Sequence, residues 1–484
     1  MNIQFQGDGT QGFPISPLFF SLERKEKHLK IITDIPEKSM FMWYLYDPFD
    51  SLRGQCFCMG KGKTVDISQD ENYYCTVAGP LPEGKWTIWT IFLPSAESRQ
   101  ESSSWTIKVI IDGSDAEGSP EADKNPEFVW LDSSGNVKEQ YFAKDYCSEK
   151  RWFKGDFHVH TTYSDGKMPP SRIHSEAKKQ ELDFYAITDH NVNHTCWVDD
   201  GMPVIPGMEL TLDEGHFNLF LSRLLPLYKE EFWHNVNFDG ALTNTLLKSI
   251  RESGAVISIN HPFMKPWQVK DKNLDLSLID TMEIICDPTW NTAAEAAEMA
   301  LKAFSTLWNH GIRVTGIGGS DIHNPPEEVY ENSNMEGRIG LPSTWVLADN
   351  LSTAALLCAL KEHKAYVTTG FQIDLKARYG TVEYDTGSCL PIDSPDDISF
   401  SVALYGNAIP YYIDIVENGN TSRLGLCQDG QVLNFTRNWD GEYHWLRIDI
   451  RNPEGQLCGF SNPLYSGSRT KEKMLWGNLI ELIV

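Results

Sequence analysis

The sequence contains no apolar run near the roughly 18–20 residues that a membrane-spanning helix needs, so no span is expected. Basic residues are scarce: 42 lysines and arginines stand against 67 aspartates and glutamates in 484 residues, a formal net charge of −25. So acidic a surface repels polyphosphate backbones and argues against long nucleic acid as a partner. It leaves room for a small anion held by bound metal, because a metal ion dominates its local field. The ten cysteines show no repeated C-x-x-C spacing. Cys56 and Cys58 are the one close pair, and the set reads as free thiols of a reducing compartment. Met1 to Thr10 lack the basic-then-apolar pattern of a signal peptide, and a cytoplasmic location is expected. There is no G-x-S-x-G elbow, no H-E-x-x-H and no Walker-type loop.

What is present is ordinary globular composition, 41% hydrophobic and 23% charged. At about 150 residues per domain, the length suggests roughly three domains. Residues 1–112 carry strand-like runs between turns, such as Leu29 to Thr33, Met40 to Tyr46 and Lys85 to Phe92, and read as a β-sandwich-like domain. Residues 113–149 read as a linker, their first part (Asp112 to Pro126) polar and rich in breakers. From 150 to 375, short β-type runs end in polar clusters, and most are followed by helix-like stretches. The runs are Phe157 to Thr161, Phe184 to Asp189, Val204 to Thr211, Ala255 to Asn260, Met282 to Cys286, Val314 to Gly319 and Ala365 to Thr369. Helices are expected around Leu242 to Ile250, Ala293 to Leu307 and Ala354 to His363. This alternation predicts an α/β domain with a parallel sheet. Residues 376–484 return to β texture at Ile398 to Leu404, Tyr411 to Val416 and His444 to Ile450. There is no internal repeat.

Six of the 13 histidines fall in short motifs of the middle region. His158 and His160 stand two apart on a strand, so both imidazoles point to one side. They are followed by Ser164-Asp165-Gly166. Thr188-Asp189-His190-Asn191 ends the next apolar run. Gly207-Met208-Glu209 precedes Gly215-His216-Phe217-Asn218, then Asn260-His261-Pro262. Gly319-Ser320-Asp321-Ile322-His323 supplies another pair two apart. Five strand ends converge on His, Asp and Glu, the donors suited to borderline divalent metals.

The ordered segments GDFHVHTTYSDGKMPP, ITDHN, GMELT, NHP and GGSDIHN resemble the polymerase and histidinol phosphatase (PHP) superfamily. Gly215 to Asn218, Arg338 to Thr344 and the tail HWLRIDIRNPEGQLCGFSNPLY resemble its CehA/McbA type of metallohydrolase. The resemblance implies a distorted (βα)7 barrel flanked by β-sandwich-like domains, with two or three divalent ions (Mn, Zn or Fe) at one mouth. It implies that His158, His160, Glu209 and Asp321 hold one ion. Asp165, His190 and His323 would hold a second, and Glu209, His216 and His261 a third. A hydroxide bridging the metals would be the nucleophile.

His194 is a candidate acid, four residues past His190. Lys265, Arg172 and Arg338 are candidate phosphate binders. Trp197, Trp267 and Trp290 are candidates to stack on a flat substrate group. The leading expectation is hydrolysis of a small anionic phosphoester, monoester or nucleotide-like diester. The alternatives are hydrolysis of a carbamate, ester or amide, and a catalytically silent binding module.

Overall fold

The run MFMWYLY of Met40–Tyr46 lacks the alternation of a half-exposed strand, and its position in a computed structural model shows why. The structure describes residues 2–8, 16–37, 39–71, 73–93, 104–111, 126–128, 130–131, 137–138, 144–198, 200–212, 214–221, 241–330, 333 and 335–484. Near the N-terminus lie two four-stranded antiparallel sheets. One is ordered Asn2–Asp8, Ser104–Ile111, His28–Asp34, Thr64–Ser68; the other Ser16–Leu22, Gly84–Leu93, Met40–Tyr46, Leu52–Met59. Leu29, Ile31, Ile107 and Val109 of the first share a core with Phe41, Trp43, Leu45 and Trp86 of the second. The opposite face of the second sheet, through Met42, Tyr44, Phe57 and Trp89, packs on Val192, Met208 and Leu210 of the middle region. A strand buried on both faces reads as a continuous apolar run. Ser104–Ile111 has one buried face and alternates.

In the middle region seven strands follow one another in a single sheet: Thr315–Gly319, Thr281–Cys286, Val256–Ile259, Gly215–Phe220, Val204–Leu212, Phe184–Ile187 and Arg151–Asp156. Five of the seven expected runs coincide with these strands to within two residues. Three differences stand out. The first strand is Arg151–Asp156, not Phe157 to Thr161, because the Asp156 carboxylate takes the His158 amide (3.0 Å) and turns the chain out of the ladder. Gly215–Phe220 was expected only as a ligand motif. It is a strand, antiparallel to both neighbours, so the sheet is mixed. Ala365–Thr368 lies outside the parallel set, antiparallel to Ser343–Ala348, which is itself antiparallel to Arg151–Asp156. The two ends of the seven-strand run meet through an isolated parallel bridge between Val159 and Ile322.

Helices Ala241–Glu252, Ala293–Asn309 and Thr353–Lys361 lie at the three expected places. The sheet runs on from Ala365–Thr368 into Leu457–Ser461, His444–Arg451, Tyr411–Glu417 and Asn420–Cys427. A second sheet, including Gln372–Tyr379 and Asp396–Tyr405, packs on it through Leu375, Phe400, Ile413 and Ile448. The expected boundary at 375/376 therefore falls inside a strand. Most of the expected linker lies outside the described residues, although its segment Pro126–Phe128 pairs with Cys196–Val198. The ten cysteines are all free. Among the described residues no helix is long and apolar enough to cross a membrane.

Candidate metal centre

The candidate ligands leave the sheet at one end, just past the strands or on them. His158 and His160 follow Arg151–Asp156, their segment held by amide bonds Asp321 N to His158 O (2.9 Å) and His160 N to Ile322 O (3.2 Å). Close approach demands glycine at two points. A Cβ on Gly319 would lie 2.4 Å from the Cβ of His158 and 2.9 Å from Glu283 Oε1. A Cβ on Gly166 would lie 2.7 Å from the His160 carbonyl, so only glycine lets the Asp165 loop fold back onto that histidine. Asn191, His261, Asp287 and Asp321 carry φ values of 53°, 28°, 33° and 49°. Such left-handed backbone in non-glycine residues costs about 1–3 kcal/mol each and concentrates at functional sites.

Around Glu209 the donors converge. Its Oε1 lies 3.4 Å from His158 Nε2, 3.2 Å from His216 Nδ1 and 3.3 Å from His261 Nε2. Its Oε2 lies 3.4 Å from His160 Nε2 and 2.8 Å from His190 Nδ1. Asp321 Oδ1 is 3.2 Å from His158 Nε2 and 3.1 Å from His160 Nε2. Asp165 Oδ1 is 3.5 Å from His190 Nε2 and 3.3 Å from His323 Nε2. All nine residues named from the motifs meet at one place. Eight of the nine, all but His216, fall with Cys286 into three compact groups of donor atoms: His160, Asp165, His190 and His323; His158, Glu209 and His261; and His158, Asp321 and Cys286.

Burial alone would raise the carboxylate pKa values. Instead, charge on the surrounding imidazoles, His158 foremost, holds Glu209 and Asp321 well below the usual carboxylate range. His190 and His323 do the same for Asp165. Burial and the neighbouring His323 and His190 push His160 down to about 4. Against burial, Asp165 raises His323 to about 9. Asp165 Oδ1, Glu209 Oε2 and Asp321 Oδ1 are nonetheless buried with no well-directed hydrogen bond among the described residues, and so is His261 Nδ1. Buried ionised oxygens without donors are costly unless a cation meets them. The donor set therefore fits divalent metal.

A second layer holds these groups. His158 Nδ1 meets Glu283 Oε1 at 2.8 Å, and Glu283 Oε2 accepts the His261 amide at 2.9 Å. Asn260 Nδ2 donates to Glu209 Oε1 at 2.9 Å. Asp189 accepts the Thr161 amide (2.8 Å) and hydroxyl (2.6 Å) and the Ser164 amide (3.2 Å). Asp156 accepts amides of His158, Ser320 and Gly340. Glu283 and Cys286 were not singled out from the sequence. The available signal was a lone carboxylate inside the fully buried strand TMEIIC.

Three of the four proposed substrate-binding or acid groups lie elsewhere than expected. His194 does not face the mouth: it is fully buried, with Nε2 bonded to Asp189 and its ring against Tyr74 and Tyr163. Arg172 is committed to Glu327 at 2.6 and 2.8 Å, and Arg338 to Glu336 at 2.8 Å, both at the surface. Lys265 is exposed on the loop after His261. Beside it Trp267, 40% exposed, lies 4.8 Å from Trp290, which lies 5.8 Å from Tyr330. The side chain of Trp197 is outside the described residues.

An uncharacterized protein of Methanocaldococcus jannaschii is 27% identical over 181 residues, spanning 32% of this chain and 98% of the relative. A solved two-domain protein of Bacteroides vulgatus, described as containing a predicted PHP-like metal-dependent phosphoesterase, is 18% identical. It covers 68% of this chain and 100% of its own, with a TM-score of 0.37. The PHP domain family matches residues 156–233, which include six of the nine candidate ligands: His158, His160, Asp165, His190, Glu209 and His216. Residues 156–233 are thus similar to the PHP domain.

Proposed function

We propose that this protein is a metal-dependent hydrolase of small phosphoesters, monoester or nucleotide-like diester. The observation that carries the reading is the set of three buried carboxylate oxygens, on Asp165, Glu209 and Asp321, that have no well-directed hydrogen bond among the described residues while imidazoles crowd round them. We assign His158, His160, Glu209 and Asp321 to one ion, Asp165, His190 and His323 to a second, and Glu209, His216 and His261 to a third. Divalent ions held there would acidify water and offset charge on phosphoryl oxygens.

The chain's own contribution is to aim its nitrogens. With metal bound, His158 would be neutral, its proton on Nδ1 facing Glu283 and its Nε2 lone pair toward Glu209 and Asp321. His323 would do likewise, donating from Nδ1 to the Asp321 carbonyl at 2.8 Å with Nε2 toward Asp165. His190 Nδ1 meets the Thr211 hydroxyl at 2.6 Å while its Nε2 faces Asp165. Lys265 remains a candidate to receive a substrate anion at the rim. The seven strands and the Val159–Ile322 bridge support reading this region as the distorted barrel, and the sheets on either side as β-sandwich-like flanks.

The test is elemental analysis of the purified chain, paired with p-nitrophenyl phosphate, bis-p-nitrophenyl phosphate and an aryl carbamate before and after chelation. Two or three equivalents of Mn, Fe or Zn with chelator-sensitive phosphoester turnover is the expected result. Carbamate turnover alone would move the reaction class. A chain that gains neither metal nor activity on supplementation would make it a binding module.

A further inference from the structure

We infer that the N-terminal β module sets the geometry of one half of the metal centre, the half containing Asp165 and His190, with Lys63 as a positioning residue. The inference rests on the metal-dependent reading above. Lys63 immediately precedes the strand Thr64–Ser68. Its ammonium donates to the carbonyl oxygens of Thr162 (3.0 Å), Tyr163 (3.0 Å) and Ser164 (2.9 Å). An ammonium has three protons, and here three consecutive carbonyls receive them. Their dipoles repel one another when aimed at one point, so a cation at the focus is what stabilises this turn. The next residue is Asp165.

The same module holds the chain around His190. Tyr44 Oη donates to the Asn191 carbonyl at 2.8 Å. Gln55 makes a two-way clasp on Asn193, donating to its carbonyl at 2.7 Å and accepting its amide at 3.0 Å. The Thr195 amide donates to the Tyr74 carbonyl at 2.7 Å. The Phe57 ring lies 5.7 Å from the His190 ring. The other half of the centre is braced from within the middle region, by Glu283 on His158 and His261 and by Asn260 on Glu209. The Asp165 half thus takes these contacts from the N-terminal module in addition to those of Asp189 and Thr211 in the middle region.

The experiment is cobalt(II) titration of the full chain, followed by visible absorption and by metal content after desalting, on wild type, Lys63→Met and Tyr44→Phe. Lys63→Met keeps the apolar stem and removes the ammonium; Tyr44→Phe removes one hydroxyl. Circular dichroism checks the fold of each. Outer-shell supports are worth about 10–100-fold in metal affinity. Folded Lys63→Met is expected to lose affinity by that factor for the Asp165 half, with an altered cobalt spectrum there and unchanged uptake by the other half. Tyr44→Phe should shift the same way by less, and it decides the matter should Lys63→Met not fold. Folded variants with the wild-type titration and spectrum would overturn the inference alone. A wild-type chain that takes up no cobalt would overturn the metal-dependent reading and this inference with it.

Discussion

His158 Nδ1 lies 2.8 Å from Glu283 Oε1, and both side chains are fully enclosed. Glu283 thereby fixes which imidazole nitrogen faces the cluster, and its second oxygen orients the His261 backbone. Glu283→Gln replaces an acceptor by an amide that can present its donor to His158. Metal affinity is expected to fall about 10–100-fold, read by competition with a coloured chelator. An unchanged affinity would remove Glu283 from the support of the centre.

Stability should respond to pH through His363, far from the metal centre. Burial first, then the charges of Arg313 and Lys364, bring its pKa from 6.5 down to about 4. In the folded chain His363 is buried, its Nδ1 2.8 Å from Thr315 Oγ1. Between these two values the unfolded chain binds a proton that the folded chain refuses, so unfolding free energy rises with pH across that window. The contribution is complete above about pH 6.5 and fades as pH falls toward 4, reaching about 3 kcal/mol in all. His363→Asn should flatten the dependence of Tm on pH between 4.5 and 7, relative to wild type, in scanning calorimetry. Parallel profiles would show that other groups control it.

Lys265 can be tested by substrate charge. Lys265→Ala should raise KM for an anionic phosphoester by more than for a neutral carbamate, with kcat less affected. Equal changes on both substrates would take it out of the substrate site.

The rings of Trp267 and Trp290 are tilted against each other and Tyr330 is T-shaped to Trp290, on loops that follow three successive strands. Trp290 is steadied by its indole N–H on the Lys265 carbonyl at 3.0 Å. Ring stacking adds about 0.5–1.5 kcal/mol beyond area burial. A nucleotide should quench tryptophan fluorescence in the wild type and do so markedly less in Trp267→Ala. Equal quenching in both would assign the signal to another tryptophan.

The sequence by itself determined the parts of this protein that depend on near neighbours. His158 and His160 stand two apart on either side of the Val159 bridge, and that spacing turns them to one side. The helix Ala241–Glu252 followed from its apolar face, because Leu246, Leu247 and Ile250 recur at helical spacing and are buried. The run Met40–Tyr46 was visible as a strand, but its reason, burial on two faces, was not.

Tertiary structure alone decided the pairings between distant residues. Glu283 is 125 residues from His158, and Lys63 is 99 to 101 residues from the carbonyls it holds. Nothing local marks either as a support. His194 shows the converse, since its nearness to His190 in sequence suggested a place at the mouth while packing carried it beneath the ligand loops onto Asp189. The antiparallel strand Gly215–Phe220 and the continuation of one sheet into the C-terminal region are also matters of backbone pairing between strands. Such pairing is set by which edges and faces remain to be covered once the chain has folded, and local spacing carries no record of it.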